Sequence, residues 1–370
     1  MTSPEPPVKE PNAHPLLSSG FLNYLRLLHA YGFDLRRLPR VLGLGLVTLL
    51  REPVSLVAAA RYHGRVARQK VEPDPVFLIG HWRSGTTHLQ NVLNRDPQFG
   101  RVTLLQAAMP REYLLLSDGM KRRIGRLLPS TRLMDNVPIA NDVPWEEELA
   151  LTAVSRYSFY HVSFFPRCME RIFDESVMLD SGPEERIRQW EAAYLHFLRM
   201  VQFEQPGRRL LLKNPANTAR IRLLKERFPG ARFIHLHRDP YKVFASSVHL
   251  YLRAQTAWGL QATSRDRVVA HVLASYPKLM HAFFDQRSLL KEGELVEVGF
   301  ASFQEKPLKT LSFIYRKLGL DGFEEAVPHF QAYLESQRNY RKNELEWQEG
   351  EREAVATRWA DIFERLGYEA

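Results

Sequence analysis

"VFLIGHWRSGTTHLQ", Val76 to Gln90, is the stretch that decides the fold. Val76 to Ile79 is an unbroken apolar run of strand length, and Thr86 to Leu93 keeps helical spacing. Between them lie Gly80, four residues, Gly85, and then two hydroxyls, Thr86 and Thr87. Glycines at these places allow a tight turn and let backbone N–H groups approach an anion. The start of the following helix adds its dipole and free donors. Ser84, Thr86 and Thr87 can each donate a hydroxyl bond. A nucleotide hydrolase carries lysine directly after the second glycine. Here Thr86 stands there, and the cation, Arg83, sits inside the loop.

Outward from this loop the pattern alternates. Leu210 to Leu212 reads as a short strand ending at Lys213-Asn214-Pro215, and Ala231 to His237 as another, with Glu294 to Val298 as the last. Helical patterns cover Trp145 to Arg156, Glu184 to Glu204, Pro240 to Leu252 and Pro307 to Leu318, while residues 100 to 143 carry mixed signals and read as irregular with short helices. Strands alternating with helices imply an α/β fold, a parallel sheet flanked by helices on both faces. Ligands in such sheets bind outside the carboxyl ends of the strands. At one of those ends Arg238 leaves a strand, Asp239 caps the next helix with Pro240 in its first turn, and Ser246 follows eight residues after the arginine. That pair can close on one phosphate, or be an ordinary surface arginine and a solvated serine.

The 370 residues are 45% hydrophobic and 25% charged, an ordinary globular balance. A single cysteine, Cys168, excludes an internal disulfide and a cysteine zinc site, and fits a reducing, cytoplasmic compartment. The formal charge of +9 favours acidic partners: nucleotides or anionic lipid. Nucleic acid is disfavoured, because no basic block interleaved with aromatics is present. Three regions are expected: a disordered tail, 1–14, rich in proline and charge; a helical region, 15–72; and the α/β domain, 73–370. Within the second, two apolar runs are separated by Arg51-Glu52-Pro53, and neither reaches the roughly 18 residues of a spanning helix. With basic flanks at Arg36, Arg37 and Arg40, and again at Arg61, Arg65, Arg68 and Lys70, they read either as helices packed on the domain or as a peripheral element on an anionic membrane face.

In this order, "RSGTT" before a helix, "LLLKNP" and "FPGARFIHLHRDPYKVFASS" resemble the sulfotransferases that use 3'-phosphoadenosine-5'-phosphosulfate (PAPS), and most of all the bacterial branch reading G-H-x-R-S-G-T-T and L-K-x-P. The resemblance covers about Pro75 to Gly319. It implies a P-loop, nucleotide-kinase-like sheet, PAPS as co-substrate and no metal. It further implies that Arg83, Ser84, Gly85, Thr86 and Thr87 cradle the 5'-phosphosulfate, with Arg238 and Ser246 on the 3'-phosphate. His88 stands where many relatives carry an aromatic near the adenine. Arg341 and Lys342 stand where a late basic segment often returns over the 3'-phosphate, or form a solvated pair. Arg83 holds the place usually taken by the family's catalytic lysine. An arginine does not release its proton at neutral pH, so its expected role, with Lys213, is electrostatic.

Two departures leave the general base open. Asn217 replaces a histidine that many relatives place beyond the lysine, and Ala301-Ser302 replace an acidic pair. The candidates come from "NDVPWEEELAL". On a helix begun at Trp145, Glu146 and Glu147 flank the apolar side and Glu148 points to the wetter side, toward Thr152 and Ser155. The same acids can instead serve a helix N-terminus. The expected reaction is sulfuryl transfer to a hydroxyl or amine. Aromatic and aliphatic segments such as "SRYSFYHVSFF" and "YLRAQTAWGL" favour a hydrophobic, lipid-like acceptor. A kinase or NTPase, or a non-catalytic nucleotide binder, are the alternatives. The first predicts a lysine after Gly85, and the second leaves Arg83 and Lys213 without a task.

Overall fold

The computed structural model describes residues 14–127, 142–337 and 347–370. Its centre is a five-stranded, all-parallel sheet of β1 (Val76–Ile79), β2 (Phe99–Arg101), β3 (Arg209–Lys213), β4 (Arg232–His237) and β5 (Leu295–Gly299), in the order β2-β3-β1-β4-β5. The chain moves from β1 out to the β2 edge, returns through β3, then crosses to β4 and β5. The direction of winding reverses at β1, and the crevice outside its carboxyl end is the natural ligand position. The loop from Gly80 to Gly85 occupies it.

Alternation along the strands divides the core in two. On one face Phe77, Ile79, Leu210, Leu212 and Phe233 join a large cluster with helices Glu184–Glu204, Pro240–Trp258 and Arg265–Gln286. On the other face Val76, Leu78, Leu211, Ile234 and Leu236 pack on helices Thr86–Leu93, Pro307–Leu318 and Phe323–Ser336. Covered on both sides, β1 and the middle of β3 are apolar without interruption, as buried parallel strands are, while β4 carries the buried His235. In chain order the helices used below are α1 (Phe21–Tyr31), α2 (Leu38–Ala67), α3 (Thr86–Leu93), α4 (Glu147–Val154), α5 (Glu184–Glu204) and α6 (Pro240–Trp258).

Three expectations are corrected. Residues 100 to 143 are not wholly irregular, because Phe99 to Arg101 pairs with Arg209 to Leu211 as the β2 edge. The apolar runs around Arg51-Glu52-Pro53 are one helix, α2, which continues through Pro53. It is thereby long and apolar enough to cross a bilayer, by length and composition alone. The helix expected from Trp145 starts at Glu147, with Glu146 in extended backbone as its cap. Of the expected tail, 1–14, residues 1–13 lie outside the described ones. His14 is buried, with its Nε2 2.8 Å from the Trp258 carbonyl.

Candidate active site

The first loop takes its shape from two steric constraints. Gly80 has φ +134° and Gly85 φ +98°. A Cβ on Gly80 would stand 2.2 Å from the Leu236 carbonyl oxygen, and one on Gly85 2.3 Å from the Phe300 ring. Only glycine meets both demands. Arg83 itself has φ +71°, the one non-glycine residue among the described ones held in the left-handed region. Such backbone persists where surrounding structure over-determines it. Ser84 donates to the His81 carbonyl at 2.7 Å, and Gly80 N–H donates to Thr218 Oγ1 at 2.8 Å. The loop is therefore tied across to the segment after β3.

Two residues in this loop could carry positive charge, and burial separates them. His81 is enclosed, with its pKa pushed down to about 4 by desolvation, and its Nδ1–H donates to the Trp82 carbonyl at 2.7 Å. Arg83 is the remaining cation. Its Nε donates to Ser246 Oγ at 2.7 Å, and Arg238 donates to the Arg83 carbonyl at 3.1 Å. Ser246 is buried in the second turn of α6, capped by Asp239, which accepts from Tyr241 N–H at 2.9 Å. Arg238 lies over the Phe300 ring at 5.1 Å, the ring that also covers Gly85. Arg83, Arg238 and Ser246 are thus linked by direct contacts beside the start of α3. His88, in α3, has its ring 5.2 Å from that of Phe303.

Lys213 ends β3 and is almost fully buried. Its ammonium donates to Glu146 and stands 3.4 Å from Thr87 Oγ1. Because Glu146 precedes the first helical turn, its carboxylate swings away from α4 toward this lysine, and Tyr160 donates to its other oxygen at 3.1 Å. Glu146, Arg83, Thr86 and Thr87 share the wall of a cavity with Trp82, Phe159, Tyr160, Leu250, Tyr251 and Ala254. Its open volume is about 70 Å³, enough for the end of an acceptor and too small for a whole lipid. Trp82 stacks on Phe159 at 3.8 Å, so loop and aromatic wall form one surface. A larger cleft of about 1240 Å³ between α1, the end of α2 and α5 includes none of these residues.

The other two glutamates face away from the cavity. Glu147 is fully buried, accepts from Tyr194 O–H at 2.9 Å and from Asn217 at 3.0 Å, and has its pKa pushed up to about 7 by desolvation. Glu148, expected on a wetter side, is also fully buried, beside a buried Thr152. It pairs with Arg220 at 3.0 Å and accepts from Asn214 at 2.7 Å and from Phe159 N–H at 2.7 Å. A wheel drawn on α4 alone misses this, because the partners come from other elements. Three successive glutamates are thus read by one segment, Lys213 to Arg220. Tyr194 and Arg220 escaped the sequence reading, and the signal available was the unusual run of three acids opposite "KNPANTAR". Arg341 and Lys342 lie outside the described residues.

The fold is an α/β fold with a parallel sheet, a glycine-turned loop at the carboxyl end of β1, and a small cavity beside that loop. Residues 75–325 match the sequence model described as the Sulfotransferase family, and the chain belongs to that family and is a sulfotransferase. It is 29% identical over 305 residues to the omega-hydroxy-beta-dihydromenaquinone-9 sulfotransferase Stf3 of Mycobacterium bovis and to that of Mycobacterium tuberculosis, covering 82% of this chain and 78% of theirs. The crystal structures of STF1 from M. tuberculosis H37Rv and STF9 from Mycobacterium avium share the fold, each with a TM-score of 0.66, at 17% and 16% identity. The first similarity covers 92% of this chain and 90% of that one, the second 95% and 97%.

Proposed function

We propose that this sulfotransferase moves the sulfuryl group of PAPS to a hydroxyl of a hydrophobic, lipid-like acceptor, with Glu146 as the base. The observation that carries the proposal is that Glu146 and Arg83 line one apolar-walled cavity at the first loop, with Lys213 paired to Glu146 behind it. The residues present fit the donor. Gly80 and Gly85 let the loop pack against the Leu236 carbonyl and the Phe300 ring in its turned conformation, and Arg238 and Ser246 supply a charged fork and a hydroxyl for a further phosphate. When bound, PAPS supplies an activated sulfuryl group and a phosphate leaving group. Arg83 and Lys213 stabilise negative charge at the leaving oxygen, an effect worth several kcal/mol in other preorganised sites.

Glu146 takes the acceptor proton as the oxygen–sulfur bond forms. Lys213 pairs with this carboxylate. An anionic donor competes for the lysine and leaves Glu146 as a free base beside the acceptor. A lipid-like acceptor is supported by the aromatic and aliphatic walls and by the Stf3 relatives, which are named as sulfotransferases of a menaquinone derivative. The test is incubation with ³⁵S-labelled PAPS and a bacterial lipid extract. Label should move into organic-soluble product, and Glu146→Gln should abolish the transfer while the desulfonated nucleotide, PAP, binds at least as tightly, because the carboxylate that competes for Lys213 is gone. Full transfer by Glu146→Gln removes the base assignment, and label appearing only as free sulfate removes the acceptor class.

A further inference from the structure

Helix α2 is apolar outward as well as inward. Its inward row runs Val41, Leu44, Thr48, Ser55, Ala58 and Val66, and is small and polar at the middle of the helix. There Arg51 pairs with Glu112 at 2.6 Å, and Glu52 accepts from Arg111 at 2.8 Å and from Phe21 N–H at 2.6 Å. The outward row is bulky: Leu42, Leu46, Leu49, Leu50, Val54 and Val57, with Leu50 67% and Leu46 57% exposed. Leu22 and Leu25 on α1 are exposed as well. A surface helix in water is polar on its outward side, and a contiguous exposed apolar face of this size marks an interaction surface.

The charges around the face say what covers it. Residues 35–70 hold eight Lys or Arg against one acid, Glu52, and that acid points inward to Arg111. Arg36 at one end, and Arg61, Arg65 and Arg68 at the other, are exposed. An apolar stripe rimmed at both ends by arginines complements an anionic lipid surface, hydrocarbon against the leucines and headgroups against the guanidinium groups. A second copy of the chain would bring the same positive rims together. The helix does not need to cross a bilayer, because its inward side is bound to the body of the protein by the Arg51 and Glu52 pairs.

We infer that α1 and α2 form a docking face that lies flat on an anionic lipid bilayer. The proposal stands apart from the identity of the sulfuryl acceptor. One consequence does rest on that reading. Arg40 donates to the Ala257 carbonyl at 2.6 Å, tying α2 to the carboxyl end of α6, whose Leu250 and Ala254 line the cavity. Docking therefore sets the acceptor end of the site beside the membrane.

The test uses the full chain, sedimented with phosphatidylglycerol vesicles or with phosphatidylcholine vesicles across a salt series. PAP titration of every variant shows that it is folded and keeps the donor reading separate. Binding to phosphatidylglycerol should exceed that to phosphatidylcholine by about tenfold or more and fall steeply between low and high salt. Leu46→Gln/Leu50→Gln/Val54→Gln should weaken it about tenfold or more with PAP affinity intact. Arg36→Gln/Arg61→Gln/Arg68→Gln, which leaves the apolar row untouched, should flatten the salt dependence, and serves if the first variant fails to fold. A chain that stays in the supernatant with phosphatidylglycerol at low salt overturns the proposal. So does a dimer in solution that the leucine variant dissociates while vesicle binding is absent.

Discussion

Arg83 donates through Nε to the hydroxyl of Ser246, 2.7 Å away and 163 residues further along the chain. The contact joins the cation of the first loop to the helix that follows β4. A donor phosphate placed between them would replace the serine as the arginine's partner. Arg83→Ala should cut turnover about 10²- to 10³-fold, as loss of a preorganised donor does elsewhere. PAP affinity should fall far less, since the charge met by Arg83 grows toward the transition state. Arg83→Lys should keep part of the rate. Single-turnover transfer of labelled sulfate, with PAP titration beside it, gives both numbers. Full turnover by Arg83→Ala would reduce the residue to a structural cation.

Arg238 is expected to read the 3'-phosphate. Arg238→Ala should weaken PAPS and PAP by about 1.5–3 kcal/mol, the loss of a charge-assisted clamp. It should leave adenosine-5'-phosphosulfate, which lacks that phosphate, nearly unchanged. Calorimetric titration separates the two, and equal losses for all three nucleotides would reassign the residue to the loop carbonyl it already touches.

Glu148 and Arg220 should behave as structure. Both are fully buried, and removing one partner leaves an uncompensated charge. Glu148→Ala should therefore destabilise the fold by about 3–5 kcal/mol. It should also loosen the wall around Phe159, whose N–H the carboxylate holds. Chemical denaturation measures the first effect. Glu146→Gln, at the cavity, keeps an amide oxygen to accept from the buried Lys213, so it should cost less stability than Glu148→Ala and far more turnover.

Glu147 predicts a pH dependence of stability. Its folded pKa, about 7, stands above the ordinary carboxylate value because burial disfavours the charge. The folded state then holds a proton that the unfolded chain has released. Its contribution is complete below about pH 4.5 and is lost as pH rises through about 7, a span worth roughly 3 kcal/mol. Glu147→Gln keeps a neutral side chain that can accept from Tyr194 and Asn217, so its Tm relative to the parent should rise between pH 5 and pH 8. A constant difference across that range would show that Glu147 is ionised in the fold at all these values.

The sheet was legible where burial on both faces left apolar runs, as at Val76 to Ile79 and Leu210 to Leu212, and the first loop followed from its glycines and hydroxyls. Strand β2 was not, because Phe99-Gly100-Arg101 is a three-residue edge containing glycine and a charge. Helix α2 was read as broken, since Arg51-Glu52-Pro53 carries the local signature of a stop. The contacts of Arg51 with Glu112 and of Glu52 with Arg111 are long-range and hold it together. The three glutamates were told apart only by partners distant in sequence, Lys213, Tyr194 and Arg220. Helical periodicity carries no information about those.

One hydroxyl makes the two halves of the site a single thermodynamic unit. Thr218 Oγ1 accepts from Gly80 N–H at 2.8 Å and donates to the Gly80 carbonyl at 3.2 Å, so it grips both ends of one loop residue. The same short segment supplies one partner or more to each of Glu146, Glu147 and Glu148: Lys213, Asn217, and Asn214 with Arg220. Nucleotide that tightens the loop must strain or relax the frame around the base, and by linkage the acceptor must return the same factor to the nucleotide. The affinity of each ligand is then a readout of the other's presence, and Thr218→Val, which keeps the shape and removes the grip, should bring that interaction factor toward unity.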